Sequence, residues 1–231
     1  SFLMRSAGCI VNDLIDINLD KSVERTSQRP LVTKSVSLLE AIFFLIILLL
    51  LSFLILIQFD KKAIILGLFS IPLVILYPFM KRITYWPQLI LGIAFNWGIL
   101  IVSIQFNDYL SSSIIILYAS CIFWTLGYDT IYAYQDKNDD IKNNIKSTAV
   151  LFGRNGKKFV LSFYMIFLTM LGFIGFKSSG SIGSILVIIS FLIAMVFFLN
   201  KWNLESKDSS KYYFKANNSL GLLCFIYLII F

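Results

Sequence analysis

Seven long apolar segments, separated by short polar connections, dominate the hydrophobic pattern of the chain. Each approaches the roughly 20 apolar residues that a helix needs to cross a membrane. The connections carry charged residues, Gly and Ser, which are typical of loops. The pattern predicts an all-α fold, a polytopic transmembrane helix bundle. The predicted helices lie near residues 36–59, 63–80, 87–106, 113–134, 159–176, 182–200 and 214–231.

The composition agrees with a membrane protein. Hydrophobic residues make up 58% of the 231 residues and charged residues only 14%, whereas a soluble domain carries about 25% charged residues. A soluble core cannot bury so much apolar surface. We therefore predict that a lipid bilayer surrounds the helices and that residues 1–231 form one membrane domain.

The first apolar segment, residues 1–11, is too short to cross a membrane. At 1.5 Å per residue it spans only about half of a hydrocarbon core about 30 Å thick. It does not start with Met and no charged leader precedes it, so it does not resemble a signal peptide. We expect the chain to begin partway along a helix and the full protein to be longer.

Basic residues are concentrated on one side of the predicted bundle. If each helix crosses once, sixteen of the twenty Lys and Arg fall near residues 12–35, 81–86, 135–158 and 200–213, and three fall in the opposite connections. Positive charge marks the cytoplasmic side. The first set is therefore predicted to be cytoplasmic in a bacterial inner membrane, with the mitochondrial inner membrane as the location in a eukaryote. Outside the loops the sequence contains no basic stripe with interleaved aromatic residues, which is the pattern that would indicate nucleic-acid binding.

The sequence NDLIDINLD, residues 12–20, places three acidic residues in an otherwise apolar stretch. Asp13, Asp16 and Asp20 have the spacing i, i+3, i+7, which aligns their carboxylates on one stripe of a helix. Like charges on one stripe repel, so we expect a positively charged partner. A solvated loop face is the alternative interpretation.

A second acidic stretch, YDTIYAYQDKNDD, begins at residue 128. Asp129, Asp136 and Asp140 have the spacing of one helical stripe, with Asp139 beside it. Asp129 falls inside an apolar helix, where a charge costs about 2.5–3.5 kcal/mol at the membrane centre, and is therefore a candidate functional residue. Counting the spans predicts that both acidic stretches lie at the same membrane face.

Two carboxylate-rich stretches at one membrane face predict a divalent cation site. The chain contains no His, and oxygen ligands favour a hard ion such as Mg²⁺. Mg²⁺ takes phosphate oxygens readily as further ligands. A polar head bound at the mouth of an apolar cavity implies a tail in the membrane, so a polyprenyl diphosphate is the substrate that fits.

Cations and aromatic rings near these stretches are candidate substrate contacts. The cations could hold a polyanionic head group, or each could be a topology charge or a lipid contact. They are Arg25, Arg29, Lys81, Arg82, Lys142 and Lys146. The rings could stabilise an allylic cation, although each is more often a packing residue. They are Tyr77, Trp97, Trp124, Tyr128, Tyr132 and Tyr134.

Other reactive residue types point to no further chemistry. The absence of His excludes Ser-His-Asp and Cys-His catalysis and His-ligated metals. Cys9, Cys121 and Cys224 are isolated in apolar surroundings and are interpreted as small buried hydrophobic residues. Disulfides and zinc sites are therefore not predicted.

Three blocks of the sequence resemble the UbiA superfamily of membrane prenyltransferases. The superfamily motif NDxxDxxxD is matched at residues 12–20, inside a matching block at residues 5–31, and further blocks are matched at residues 77–82 (YPFMKR) and 128–153. The words YDTIYAxQD and KSTA resemble the 4-hydroxybenzoate polyprenyltransferases of ubiquinone biosynthesis. One departure is Asn144, where relatives commonly carry Gly.

The resemblance implies a bundle of nine helices, of which about seven are complete here, with the first helix and most of the second missing. It implies Mg²⁺-dependent transfer of a polyprenyl group from polyprenyl diphosphate to 4-hydroxybenzoate, meta to its carboxylate, with release of diphosphate. The alternatives within the superfamily are enzymes of the menaquinone, haem O or homogentisate type.

The resemblance also implies roles for the motif residues. Asp16, Asp20, Asp136 and Asp140 are expected to hold Mg²⁺ and to act in catalysis, with Asn12 in support. Asp13 and Asp139 are expected as further metal ligands. Arg29, Lys81, Arg82, Lys142 and Lys146 are expected to contact the diphosphate or the aromatic acid, and Tyr77, Tyr128 and Tyr132 the substrates. The base that removes the ring proton is left open between Asp129 and the released diphosphate.

Two other classes of protein share some of these features. A transporter of cations or polyanions would also need intramembrane carboxylates and basic mouths, but it requires a polar path to the opposite face. That face offers only Asp60, Asp108 and a few Lys in short loops. A non-enzymatic scaffold leaves both acidic stripes without a role.

Overall fold

The computed structural model describes residues 2–231, and Ser1, the first residue of the short apolar segment, lies outside the described residues. All regular secondary structure in that range is helical, which confirms the predicted fold class. The helices are α1 (Phe2–Asp20), α2 (Pro30–Thr33), α3 (Leu38–Leu56), α4 (Lys61–Leu68), α5 (Ser70–Ile83), α6 (Pro87–Phe95), α7 (Gly98–Asn107), α8 (Ser112–Ala133), α9 (Lys137–Lys142), α10 (Thr148–Phe152), α11 (Gly156–Ser179), α12 (Ile182–Asn200) and α13 (Lys207–Ile230).

Seven helical stretches are long and apolar enough to cross a membrane. They correspond to the seven predicted spans, and the chain is an integral membrane protein. Helices suit this setting because they satisfy all backbone hydrogen bonds within one segment. The stretches are Leu38–Leu56, Lys61–Ile83, Pro87–Asn107, Ser112–Ala133, Thr148–Ser179, Ile182–Asn200 and Lys207–Ile230.

The chain divides into two compact units. The first comprises the residues up to Leu110 together with Asn138–Lys146, and the second comprises Ser111–Lys137 and Ser147–Phe231. A segment of the second acidic stretch therefore belongs to the first unit. That the whole chain forms a single domain stays a prediction.

In the first unit, α1 packs against α3 and α5, and α4 packs against α7. The helix α3 begins with a capping box, in which the Ser37 hydroxyl accepts from the Glu40 amide at 3.2 Å and the Glu40 carboxylate accepts from the Ser37 amide at 2.7 Å. The side chains of Leu39 and Phe43 on α3 remain largely exposed, as expected of a helix that faces lipid.

Two spans of the first unit are each built from two helices, where the sequence pattern predicted one continuous helix. Between α4 and α5, the Ser70 hydroxyl donates to the Gly67 carbonyl at 2.7 Å. Between α6 and α7, the side-chain nitrogen of Asn96, Nδ2, donates to the Gly92 carbonyl at 2.8 Å. Such side-chain bonds compete for helical carbonyls and favour a break, which hydropathy alone does not reveal.

The second unit holds the main hydrophobic core, formed by α8, α11, α12 and α13. Tyr164 is fully buried and donates to Asn217 Oδ1 at 2.5 Å. The last helix begins at Lys207, earlier than the predicted start at residue 214, because the Ser206 hydroxyl caps it by accepting from the Ser209 amide at 3.1 Å. A polar first turn is invisible to a hydropathy argument.

A close approach of α8 to α11 predicts that Gly127→Ala destabilises the second unit. An added Cβ at Gly127 would lie 2.9 Å from Tyr164 Cζ, and the ring cannot move freely because its hydroxyl is bonded to Asn217. We expect a loss of about 1–3 kcal/mol in the free energy of unfolding, measured as a lower thermal midpoint in detergent.

The matched control is Gly98→Ala, because nothing lies within 4 Å of an added Cβ at that position. This substitution is expected to leave the midpoint unchanged or to raise it slightly. Equal midpoints for the two variants would contradict the packing of α8 against Tyr164.

Candidate functional site

The first acidic stretch is helical throughout, because α1 extends to Asp20, and the predicted stripe on α1 is confirmed. Asp16 is completely buried and Asp20 is nearly so, whereas Asp13 is half-buried. Isolated charges are not buried without partners. The stripe must therefore be neutralised by cations from elsewhere in the chain.

Two cations at the end of α5 neutralise Asp16. The Lys81 ammonium forms a close ion pair with Asp16 Oδ2, and Arg82 Nη2 lies 3.0 Å from Asp16 Oδ1. Arg82 is oriented by the carbonyls of Pro78, at 3.1 Å, and Ile15, at 3.3 Å. The C-terminal turn of a helix also favours positive charge, so α5 is suited to present both cations.

A single arginine pairs with the other two carboxylates of the stripe. Arg29 Nη1 lies 2.7 Å from both Asp13 Oδ1 and Asp20 Oδ2. The connection after α1 turns back toward Asp20, where the buried Thr26 hydroxyl donates to the Asp20 carbonyl at 3.1 Å. Burial raises the pKa of Asp13, while Arg29 and a hydrogen bond from the Asn12 side chain act in the opposite direction.

The segment Asn138–Lys146, which includes the end of the second acidic stretch, is held in the same unit by hydrogen bonds to backbone carbonyls. Asn143 Nδ2 donates to the Ser22 carbonyl at 3.4 Å, just beyond α1. The Lys146 amide donates to the Lys81 carbonyl at 2.8 Å, and its ammonium donates to the Ile83 carbonyl at 2.9 Å. These bonds hold the segment Asn138–Lys146 against the ends of α1 and α5.

The second acidic stretch is not one helical stripe, and that prediction is wrong. The helix α8 ends at Ala133, and the next helix begins at Lys137. Tight turn bonds intervene, with the Asp136 amide donating to the Ala133 carbonyl at 3.1 Å. The break is anchored by Tyr134, whose hydroxyl donates to the Gly153 carbonyl at 2.7 Å. A continuous helix could not make these contacts.

The structure distributes the predicted site residues over the two units. The first unit holds Asn12, Asp13, Asp16, Asp20, Arg29, Tyr77, Lys81, Arg82, Asp139, Asp140, Lys142 and Lys146. The second unit holds Tyr128, Asp129, Tyr132 and Asp136. In the first unit Asp140 is buried, Tyr77 is half-buried and Lys142 is exposed.

Aromatic side chains cluster on α8 in the second unit. Tyr128 lies 5.5 Å from the Trp124 ring in an edge-to-face contact, and Tyr132 lies 4.7 Å from the Phe214 ring. Asp129, which lies between these two tyrosines in the sequence, is half-buried and close to the end of α8. Trp97 belongs instead to the first unit, where its ring nitrogen donates to the Leu66 carbonyl at 2.9 Å.

The donor chemistry of the α1 stripe fits a hard cation, because all of its side-chain donors are carboxylate or amide oxygens. Within residues 2–231, however, no group of three or more acidic, His or Cys side chains is arranged so that it could hold a metal ion. The carboxylates of the stripe are instead turned toward Arg29, Lys81 and Arg82. The predicted metal ligands stay predictions.

Sequence reasoning missed two residues that shape the site. Thr26 secures the connection that carries Arg29, and Asn143 attaches the second acidic stretch near α1. Neither residue carries a charge or a periodic spacing that would distinguish it. The only available signal was their place inside the two matched sequence blocks.

Comparison with known proteins places the chain among prenyltransferases. A model of the UbiA prenyltransferase family matches residues 1–221. The chain is 40% identical over 235 residues to a mitochondrial 4-hydroxybenzoate polyprenyltransferase of Drosophila melanogaster, covering 100% of the chain and 59% of that protein. It is 38% identical to a 4-hydroxybenzoate octaprenyltransferase of Pseudomonas syringae pv. tomato, covering 97% of the chain and 76% of that protein.

Solved structures share the fold. A UbiA homolog from Aeropyrum pernix K1, in an apo structure, superposes with a TM-score of 0.79 at 22% identity, covering 99% of this chain and 85% of that chain. A UbiA homolog from Archaeoglobus fulgidus bound to DMAPP and Mg²⁺ superposes with a TM-score of 0.73 at 17% identity, covering 97% of this chain and 82% of that chain. At these identities the likeness establishes the architecture.

The bridge formed by Arg29 predicts that Arg29→Gln destabilises the first unit. The substitution leaves Asp13 and the buried Asp20 without their cation. We expect a loss of about 1–3 kcal/mol, below the cost of breaking a fully buried pair because Arg29 is partly exposed. Thermal unfolding in detergent measures the change.

Lys21→Gln is the control, because Lys21 is exposed next to the same stripe. Its effect should stay within about 0.5 kcal/mol. If both substitutions lower the midpoint equally, the loss reflects overall charge and the bridge is not stabilising.

The backbone at Asn144 predicts which substitutions it tolerates. Asn144 has φ 54°, in the left-handed region, where Asn is tolerated and Gly is unstrained. Asn144→Gly should keep or slightly raise the thermal midpoint, whereas Asn144→Val should lose about 1–3 kcal/mol. A Val variant as stable as the Gly variant would contradict the left-handed conformation.

Proposed function

Because the chain belongs to the UbiA prenyltransferase family, we propose that its protein transfers a polyprenyl group from polyprenyl diphosphate to the aromatic ring of 4-hydroxybenzoate and releases diphosphate. The names of the similar fly and bacterial proteins support this substrate pair. The chain spans 59% of the length of the fly relative, so activity, substrates and partners are proposed for the whole protein. Ubiquinone biosynthesis is the pathway that this product serves.

The observation that carries the proposal is the balanced ion-pair cluster on α1. Three carboxylates are matched by Arg29, Lys81 and Arg82 in a largely buried setting. A complex of Mg²⁺ with diphosphate brings charges of both signs. The carboxylates can turn to the metal ion while the three cations turn to phosphate oxygens, so that no buried charge loses its partner.

Both acidic stretches supply oxygen ligands suited to Mg²⁺. When bound, Mg²⁺ neutralises the developing negative charge of the diphosphate leaving group. The proposed ligands are drawn from Asp13, Asp16, Asp20, Asp136, Asp139 and Asp140, with Asn12 in support.

Other side chains bind and protect the substrates. Arg29, Lys81, Arg82, Lys142 and Lys146 are proposed to hold the diphosphate or the carboxylate of 4-hydroxybenzoate, together with Tyr77. The rings of Tyr128 and Tyr132 would face the allylic carbon, where they favour positive charge and exclude water. The ring proton of 4-hydroxybenzoate passes to Asp129 or to the released diphosphate.

The orientation in the membrane follows from the distribution of basic residues. We propose that both acidic stretches face the cytoplasm in a bacterial inner membrane, or the corresponding side of the mitochondrial inner membrane. The support is the sixteen Lys and Arg in the connections that share this side. Accessibility labelling of introduced cysteines in intact cells would test it.

The proposed role of Asp16 predicts that Asp16→Asn abolishes most prenyl transfer. In a full-length protein we expect a rate loss of about 10²-fold or more, because charge stabilisation at the leaving group is lost. Product formation from 4-hydroxybenzoate and a polyprenyl diphosphate, detected by mass spectrometry, measures the rate. Asp136→Asn should behave similarly.

Asp108→Asn is the matched control, because Asp108 is an exposed carboxylate whose ion pair with Lys62 lies outside the site. It should retain normal activity. Normal activity and normal Mg²⁺ dependence in both Asp16→Asn and Asp136→Asn would overturn the proposed mechanism. The thermal midpoint of each variant shows whether a loss of activity comes from misfolding.

The acceptor is tested by supplying membranes with 4-hydroxybenzoate, other quinone precursors and polyprenyl diphosphates of several lengths. We expect a prenylated 4-hydroxybenzoate, pyrophosphate release and loss of both when Mg²⁺ is chelated. Prenylation of a different acceptor alone would keep the family assignment and refute the substrate.

A further inference from the structure

A basic cleft lies in the second unit, between the start of α11 and the connection from α12 to α13. Its volume is about 450 Å³. Four cations line it, Lys137, Arg154, Lys157 and Lys201, and Glu205 is the single acidic residue of the lining. The cleft therefore carries three uncompensated positive charges.

The cations of the cleft have no carboxylate partners. Within residues 2–231, no ion pair joins any of the four to an acidic side chain. Lys157 donates to the Asn200 carbonyl at 3.0 Å, which leaves two further N–H groups of its ammonium for a ligand. Lys137 lies 5.2 Å from the ring centre of Tyr134. Mutual repulsion of these charges favours binding of an anion.

The walls of the cleft are held in place by buried aromatic residues. Trp202 is completely buried, and its ring nitrogen donates to the Ser210 hydroxyl at 3.0 Å. The Tyr134 ring meets Trp202 edge-to-face at 5.2 Å, and its hydroxyl bonds the Gly153 carbonyl. The cleft is therefore formed before any ligand binds, which lowers the entropic cost of binding.

The start of α11 adds a further attraction for anions. Arg154 precedes this 24-residue helix and Lys157 lies in its first turn, and its N-cap residue, Asn155, makes no side-chain cap. The first amides of a helix carry a partial positive charge and bind phosphate groups. This feature supplements the four side chains of the cleft.

The cleft lies where the spans of the second unit end. The helix α8 ends at Ala133, α12 ends at Asn200 and α13 begins at Lys207. If each span crosses once, these ends and the start of α11 share one membrane face, at the depth of the lipid head groups. A lipid phosphate is therefore closer at hand than a soluble one.

We propose that this cleft binds the phosphate group of an anionic phospholipid. The site goes beyond the proposed prenyl transfer, because none of its four cations is assigned to the diphosphate or to the aromatic acid. Scattered topology charges would interact with an anionic membrane as a diffuse surface. A built cleft instead binds a lipid with an affinity that depends on the residues that line it.

The test compares two variants that each lose two positive charges. Arg154→Gln with Lys201→Gln removes cations of the cleft, and Lys158→Gln with Lys211→Gln removes exposed cations of α11 and α13 outside it. The purified full-length protein in detergent is titrated with phosphatidylglycerol or phosphatidylcholine, and bound lipid is counted by native mass spectrometry. Thermal midpoints without lipid verify that all variants fold.

We expect phosphatidylglycerol to bind wild type more tightly than phosphatidylcholine. The cleft variant should lose about tenfold or more of that affinity, given the attraction of each cation for an anionic lipid, and the control variant should retain it. Equal losses in the two variants would overturn the cleft as the site. Displacement of the lipid by inorganic phosphate at similar concentration would assign the cleft to a soluble phosphate and overturn the lipid assignment.

Discussion

The neutralisation of Asp16 is the constraint on which the first unit depends. A fully buried carboxylate without a partner costs several kcal/mol, and its partners, Lys81 and Arg82, come from the end of a helix 65 residues further along the chain. The ion pairs therefore fix α5 against α1. The Lys81 carbonyl in turn accepts from the Lys146 amide, so the residue that neutralises Asp16 also holds the segment Asn138–Lys146.

The same charges explain how a stable membrane protein can keep a site for highly charged ligands. Without ligand, Arg29, Lys81 and Arg82 occupy the carboxylates of α1, so that the helix carries no unpaired buried charge. In the proposed function, a metal ion and a diphosphate would let each group exchange one partner of opposite sign for another. The basic cleft of the second unit differs, because none of its four cations forms an ion pair with a carboxylate within residues 2–231.

The sequence was sufficient for features that depend on local periodicity and less so for features that depend on distant contacts. Seven spans and the stripe of Asp13, Asp16 and Asp20 follow from spacing, and the structure has them. The pairing of Asp16 with Lys81 could not be predicted, because no local rule relates residues so far apart. The break after Ala133 was missed because helical spacing does not reveal where a helix ends, and the Tyr134 hydroxyl there bonds the Gly153 carbonyl, another long-range contact.

The exchange of partners on α1 is tested most directly by calorimetric titration of the purified full-length protein with Mg²⁺ and pyrophosphate, each with and without the other. Mg²⁺ alone would take the carboxylates and leave the cations of the cluster unpaired, and pyrophosphate alone would take the cations and leave the carboxylates unpaired. The account predicts that each ligand raises the affinity for the other by the same factor, after correction for their association in solution. Pyrophosphate binding of equal strength with and without Mg²⁺ would contradict it.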